Sequence, residues 1–329
     1  MRILVAGGAG YVGSALIPKL LERGYDVDVV DLFWFGNSLP SAAGIVNRDL
    51  FDLQIEDLRQ YDQVVFLAGL SNDPMAEFSP SKNFIFNAAA PAYLGYIAKQ
   101  AGVRRYIYAS SCSVYGYTED RLFDEDHPVS SSYPYGISKL QGEQAVMQLI
   151  DQHFSVIALR KGTVCGYSPR MRFDLIINTM FKCAMQEGVI RVNNPAIWRP
   201  VLSIEDATMA YIRAIEAADS LSGIFNIASG NHTVGEVADL VTLTIEQELG
   251  TRVQLELKHV KDFRNYKVSM EKAKNVLSFH PHHSVQSIVR NLIEHMPKCS
   301  DWDNPNYYNI QVFKSLEEKN VAKLTAAGR

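Results

Sequence analysis

Tyr135 and Lys139 stand four residues apart in S-S-Y-P-Y-G-I-S-K, Ser131 to Lys139. Pro134 suits the first turn of a helix, where its fixed φ is already helical and its missing N–H would have no partner. A helix beginning there carries Tyr135 and Lys139 on one face, because side chains four apart stack above each other. Tyr133 falls before the helix and reads as core or pocket lining. An unperturbed phenol, with a pKa of about 10, is a poor base at neutral pH. A nearby ammonium favours the phenolate. Such a pair can take a hydroxyl proton while the carbon bearing that hydroxyl gives up a hydride.

A hydride needs an acceptor, and the start of the chain provides for one. G-G-A-G-Y-V-G, Gly7–Gly13, follows the β-rich run Arg2–Ala6 and precedes a helical stretch. Gly7, Gly10 and Gly13 let the backbone turn tightly and approach a pyrophosphate, which then sits on the amides of the helix start. A tight turn without a ligand is the alternative reading of the glycines alone. Asp31 closes the second β-rich run, where a carboxylate suits a ribose with free hydroxyls and repels a 2′-phosphate. The following L-F-W-F-G-N holds no arginine to welcome that phosphate. The expected cofactor is therefore NAD rather than NADP. Asp49, in R-D-L, either meets the adenine amino group or caps its loop.

These residues need a scaffold. Arg2–Ala6, Asp26–Asp31, Gln63–Ala68, Arg105–Ser110 and Ser155–Arg160 read as strands, with helices expected over 12–23, 83–101 and 135–152. Alternating strands and helices argue for a parallel sheet covered on both faces, an α/β fold of the Rossmann-type, doubly wound kind. The rhythm breaks after about residue 162, where S-P-R-M-R, N-N-P-A and W-R-P place loops among helices at 174–186, 204–217 and 234–249. The expected division is a dinucleotide-binding domain over 1–162 and a smaller mixed α/β substrate lobe over 163–329, with strands free to cross back. A terminal helix near 312–323 carries no signal of its role.

The chain has 329 residues, 47% hydrophobic and 21% charged, with a net charge of −4. Scattered basic residues and that charge leave no electrostatic footprint for nucleic acid. No apolar run is long enough to cross a bilayer, and M-R-I-L-V-A-G-G runs straight into a strand without room for a signal peptide. Cys112, Cys165, Cys183 and Cys299 form no C-x-x-C pair. A reduced, cytoplasmic protein with no structural metal and no membrane partner is expected.

Taken together, Gly7-x-x-Gly10-x-x-Gly13, L-A-G at Leu67–Gly69, Asn87 in its helix, S-S-C-S-V-Y-G at Ser110–Gly116 and Tyr135-x-x-x-Lys139 resemble the extended short-chain dehydrogenase/reductase superfamily, in its nucleotide-sugar epimerase/dehydratase branch. The resemblance runs to about residue 290. It implies NAD held by Gly7, Gly10, Tyr11, Val12, Gly13, Asp31, Asp49, Leu50, Leu67, Ala68, Gly69, Asn87, Tyr135 and Lys139. It makes Tyr135 the base, Lys139 its tuner and a holder of the nicotinamide ribose, and Ser111 the group that binds the reacting oxygen. Cys112 is then packing.

The same resemblance implies a nucleotide-diphosphate sugar bound against the C-terminal lobe. Arg199, in W-R-P-V-L-S-I-E-D, and Arg264, in D-F-R-N-Y, face its diphosphate, each with a surface ion pair as the alternative. Asn178 touches the phosphates or lies on a helix face. Ser71, Asn72 and Asp73 shape sugar specificity or cap the turn before Pro74, and Arg170 and Arg172 read a phosphate or flank the next helix. A homodimer through the helices at 83–101 and 135–152 is implied as well.

Departures from the branch narrow the activity. Its 4,6-dehydratases carry an Asp-Glu pair right after the Ser/Thr, whereas this chain has Cys112 and Ser113, which leaves water elimination without an acid/base pair. The usual R-Y-F-N-V-Y-G is here R-K-G-T-V-C-G, Arg160–Gly166, with Thr163 in place of an asparagine that often binds the substrate diphosphate. The expected activity is oxidation of a sugar carbinol, most often at C4, by hydride transfer to NAD, ending in an epimer or a released 4-keto sugar. An NADP(H)-dependent ketosugar reductase is the alternative, and a non-catalytic dinucleotide sensor is the rival from another class.

Overall fold

The computed structural model describes residues 1–258, 264–299 and 301–327. β1 (Arg2–Ala6) leads into α1 (Tyr11–Glu22), β2 (Asp26–Asp31), β3 (Gly44–Asn47), α2 (Ile55–Leu58) and β4 (Gln63–Phe66). Then come α3 (Asp73–Phe78), α4 (Pro80–Phe84), a π-helical turn at Ile85–Ala89, α5 (Ala90–Gln100), β5 (Arg105–Ser111), β6 (Tyr117–Phe123), α6 (Pro134–Met147) and β7 (Ser155–Lys161). The second half holds β8 (Thr163–Cys165), α7 (Ile176–Glu187), β9 (Val189–Asn193), β10 (Trp198–Ser203), α8 (Ile204–Glu216), β11 (Gly223–Ile227), β12 (Gly230–Thr233) and α9 (Val234–Leu249). It closes with β13 (Gln254–Lys258), β14 (Asn265–Val268), α10 (Glu271–Leu277), α11 (Val285–His295) and α12 (Asn309–Ala327).

Seven strands form one sheet in the order β11-β7-β5-β4-β1-β2-β3, every pair parallel. Parallel strands are covered on both faces, so their sequences are almost wholly apolar. Ile3, Val5, Val65, Ile107 and Ile157 pack with Leu16 and Ile17 of α1 and Tyr211 of α8. The alternate residues Leu4, Val64, Phe66, Tyr106 and Val156 pack with Leu94 and Ile97 of α5. α8 and β11 return from the second half to this sheet. α10 also packs there, through Ala273 and Leu277. α7, α9 and α11 build a lobe around Phe181, Ile190, Val201, Val237 and Ile288, with small sheets β12-β10-β8 and β13-β9. No helix among the described residues is long and apolar enough to cross a membrane.

Two expected helices differ in ways the local chemistry explains. The stretch over 83–101 is not one α-helix: it passes through the π turn before α5. Pro91 has no N–H for the Asn87 carbonyl, and the Tyr108 hydroxyl donates to that carbonyl at 3.1 Å. α6 stops at Met147 rather than 152, because the Asp151 carboxylate accepts from the amides of His153 and Phe154 at 2.8 and 2.9 Å. That side-chain turn competes with helix continuation.

A buried ion pair ties α6 to the sheet. Glu143 sits on the Tyr135–Lys139 side of α6, and its carboxylate meets the Arg160 guanidinium at 2.7 and 3.0 Å. Ser110 of β5 donates to the same carboxylate at 2.6 Å, and Arg160 donates to the Tyr115 hydroxyl at 2.8 Å. Arg160→Met leaves Glu143 as an unpaired buried charge and is expected to destabilise the fold by about 3–5 kcal/mol. The urea midpoint of the variant reads that loss; a midpoint equal to the parent's contradicts it.

Candidate active site

The C-terminal ends of the parallel strands open into a cavity of about 600 Å³, the usual ligand position in sheets of this topology. The glycine loop forms one wall. Gly7 has φ +77°, and a Cβ there would fall 2.4 Å from the Ala68 amide nitrogen. A Cβ at Gly13 would fall 2.2 Å from the Gly8 carbonyl oxygen. The loop can therefore turn and pack this closely on the chain leaving β4 and on itself only without side chains at these positions. Gly10 caps α1 with no side-chain hydrogen bond, so the first-turn amides offer a pyrophosphate its place. The donor set fits a dinucleotide.

Asp31 holds this wall together. Its carboxylate accepts from the Ala9 amide at 2.9 Å and the Phe33 amide at 2.8 Å. Burial raises its pKa, and those amides oppose the rise. Asp49 lines the cavity beside Leu50 and also caps its turn, accepting from the Phe51 amide at 3.0 Å. Tyr11, Val12, Leu67, Ala68 and Gly69 complete this half.

Ser111, Tyr135 and Lys139 gather at the other end of the same cavity. Ser111 is the last residue of β5, and its Oγ accepts from Ser113 Oγ at 2.9 Å. Burial and the Asp73 carboxylate push the Tyr135 phenol up to about 12, against the pull of Ser111 and Arg172. Lys139 differs from expectation. Its ammonium donates to the Ala109 carbonyl at 3.1 Å, and the cation felt by Tyr135 is Arg172. The helical spacing puts both side chains on one side of α6, but the longer lysine reaches the strand beneath. Burial and Lys161 draw Lys139 down to about 7.

Ser71, Asn72, Thr163, Arg199 and Arg264 also line the cavity. Arg264 pairs with Asp73 at 2.6 Å, and Arg199 donates to the carbonyls of Trp198 and Arg264. Asn72 caps α3 through the Met75 amide at 3.1 Å and donates to Asp174 at 3.1 Å. Asp174 in turn holds Arg172 at 2.8 and 3.0 Å.

Two expected contacts lie behind the wall. Asn87 is fully buried, and its amide donates to the Leu70 carbonyl at 2.9 Å directly under Gly69. Asn178 is fully buried too. It accepts from the Gly166 amide at 2.9 Å and donates to the Arg172 carbonyl at 2.8 Å and the Tyr11 hydroxyl at 3.2 Å. Its polar atoms are spent on the loop that carries Arg170 and Arg172, which leaves none for a substrate.

The structure adds residues the sequence did not mark. Trp34, Phe35, Lys161, Asn309 and Ile310 line the cavity. Arg170 lies over the Phe35 ring at 3.7 Å, with a buried Nε that has no partner. α12 starts earlier than expected, and Asn309 donates to Ser71 at 2.6 Å. Phe313, fully buried, stacks on Trp34 at 5.7 Å. No spacing rule connects residues so far apart in the chain. An aromatic excess in L-F-W-F and the tail is the one signal that could have suggested it.

The profile of the NAD dependent epimerase/dehydratase family matches residues 3–228. A UDP-glucose 4-epimerase of Neisseria gonorrhoeae is 32% identical over 270 residues, covering 70% of this chain and 78% of that protein. A UDP-glucose 4-epimerase of Bacillus subtilis (strain 168) is 27% identical over 268 residues, covering 70% of this chain and 78% of its own. The structure of MoeE5 in complex with UDP-glucuronic acid and NAD superposes with a TM-score of 0.80 at 26% identity, covering 91% of this chain and 99% of that one.

Asn178→Ala is expected to cost about 2 kcal/mol of stability, through buried groups left without partners. Urea unfolding checks this. A variant as stable as the parent that loses only substrate affinity would return Asn178 to the cavity wall.

Proposed function

The chain belongs to the NAD-dependent epimerase/dehydratase family, and on that premise we propose that it oxidises a nucleotide-diphosphate sugar at C4. The hydride returns to the opposite face to give an epimer, or the 4-keto sugar is released. The observation that carries this reading is the convergence of Ser111, Tyr135 and Lys139 on the cavity that also holds the glycine cradle. A non-catalytic dinucleotide sensor has no chemical need for those three side chains.

NAD, when bound, supplies the hydride acceptor. Ser111 binds the reacting oxygen and Tyr135 exchanges its proton. With a phenol drawn up to about 12, Tyr135 rests protonated at neutral pH and is ready as the acid for ketone reduction. Its service as a base depends on the positive charges around it. Lys139 holds the nicotinamide ribose, while Arg199 and Arg264 take the substrate diphosphate through guanidinium–phosphate contacts. α12, with Asn309 and Ile310 on the cavity, excludes water from the dinucleotide half.

Dehydration is disfavoured at the positions the branch uses for it. Cys112 is fully buried, with its thiol donating to the Arg160 carbonyl at 3.1 Å. Of the carboxylates that line the cavity, Asp174 pairs with Arg172 and one oxygen of Asp73 with Arg264. We also infer a homodimer through the helical stretch at 83–101 and α6, since Ile85 and Tyr96 of that stretch are 45% and 54% exposed.

Denaturing the purified protein is expected to release NAD(H), identified by chromatography; NADP(H) would put the ketosugar reductase first. Tyr135→Phe is expected to cut turnover on the order of a thousandfold while NAD binding, followed by titration calorimetry, persists. Near-parent turnover would remove Tyr135 from the chemistry.

A further inference from the structure

Lys161 ends β7 in register with Ser111 at the end of β5, and it occupies the second position of R-K-G-T, where the branch carries a tyrosine. Register partners in parallel strands point to the same side of the sheet, and both residues line the cavity. The Lys161 ammonium lies over the Tyr211 ring at 5.6 Å. Among the described residues it has no hydrogen bond and no carboxylate partner.

The surroundings of Lys161 are positive. Lys139 and Arg172 both repel it or are repelled by it, and Asp174 neutralises Arg172 alone among them. Asp73 is engaged by Arg264, and Asp31 lies at the far end, beside the glycine loop. Burial and Arg172 bring Lys161 down to about 8, so it still carries its proton at neutral pH.

A dinucleotide laid along this cavity has a defined direction. The start of α1 would hold its phosphates and Asp31 its adenosine ribose. Lys161, at the end of β7 beside Ser111, would then stand on the nicotinamide side.

We propose that Lys161 is a tuning residue for the reaction, whose charge shifts bound NAD toward its reduced form and makes it a stronger oxidant of the sugar. The inference rests on the NAD-dependent hydride transfer proposed above. In that step the sugar carbinol would give a hydride, two electrons with one proton, to the nicotinamide ring. Its hydroxyl proton would go to Tyr135 after the resting phenol has released its own proton to solvent, a release that nearby positive charge favours. The ring loses its positive charge in the exchange. A fixed cation nearby therefore repels the oxidised form more than the reduced one. A tyrosine at this position supplies no such charge.

The test equilibrates the holoenzyme with a soluble redox couple of known potential and reads bound NADH by its absorbance. NAD content is then measured after denaturation. Lys161→Met is expected to move the bound NADH/NAD⁺ ratio about tenfold toward NAD⁺, about 30 mV for a two-electron couple. Lys161→Arg should stay within about twofold of the parent, because charge rather than shape carries the effect. An unchanged ratio in Lys161→Met overturns the inference, as does an equal shift in the Met and Arg variants. Should the Met variant not fold, Lys161→Gln takes the same measurement with the same outcomes. A parent protein that takes up no NAD overturns the proposed function itself, and the tuning role with it.

Discussion

The Glu143–Arg160 pair is the contact on which the reacting end depends. Glu143 lies on α6, Arg160 on β7, and Ser110, which donates to Glu143, on β5. These three elements carry Tyr135 and Lys139, Lys161, and Ser111 respectively. Moving α6 along the sheet would separate a buried charge from its partner, which costs far more than sliding one apolar surface over another. A buried pair adds little net stability over apolar packing. Its value here is to allow one position of the helix.

A second seam joins the lobe to the sheet by neutral hydrogen bonds. Tyr11, in the first turn of α1, donates to the Gly166 carbonyl at 2.6 Å, and Ser14 meets Ser168 at 2.8 Å. Asn178 closes this seam from the lobe side. The residues that begin α1 thus also locate the loop of Arg170 and Arg172. The glycine-loop wall and the arginine loop share one set of supports, so a disturbance of either is felt at the other.

Charge of both signs lines the cavity. Asp31 feels Arg170 beside the glycine loop, while Lys139, Lys161 and Arg172 gather with Asp73 and Asp174 around Ser111 and Tyr135. Burial lowers both lysines and raises Tyr135, so proton-holding groups of opposite tendency sit together. A water-poor setting strengthens each interaction among them.

Much of this was legible in the chain alone. The apolar runs of β1, β2, β4, β5 and β7, the glycines at 7, 10 and 13, and the Tyr135–Lys139 spacing each act over a few residues, where hydrogen-bond geometry and helical periodicity leave little choice. Those local rules determined the parallel α/β sheet, the place of the cradle and the start of α6 at Pro134. They could not decide where side chains from distant segments end. Lys139 reaches the Ala109 carbonyl instead of Tyr135, and the amide nitrogens of Asn87 and Asn178 donate behind the cavity wall, because a buried donor takes the partner that packing brings to it; the Asn87 Oδ1 is left without one. Lys161 beside Ser111 follows from strand order, and Asn309 on the cavity from how α12 docks. Both are contacts between parts of the chain that no local spacing relates, so only the tertiary structure decided them.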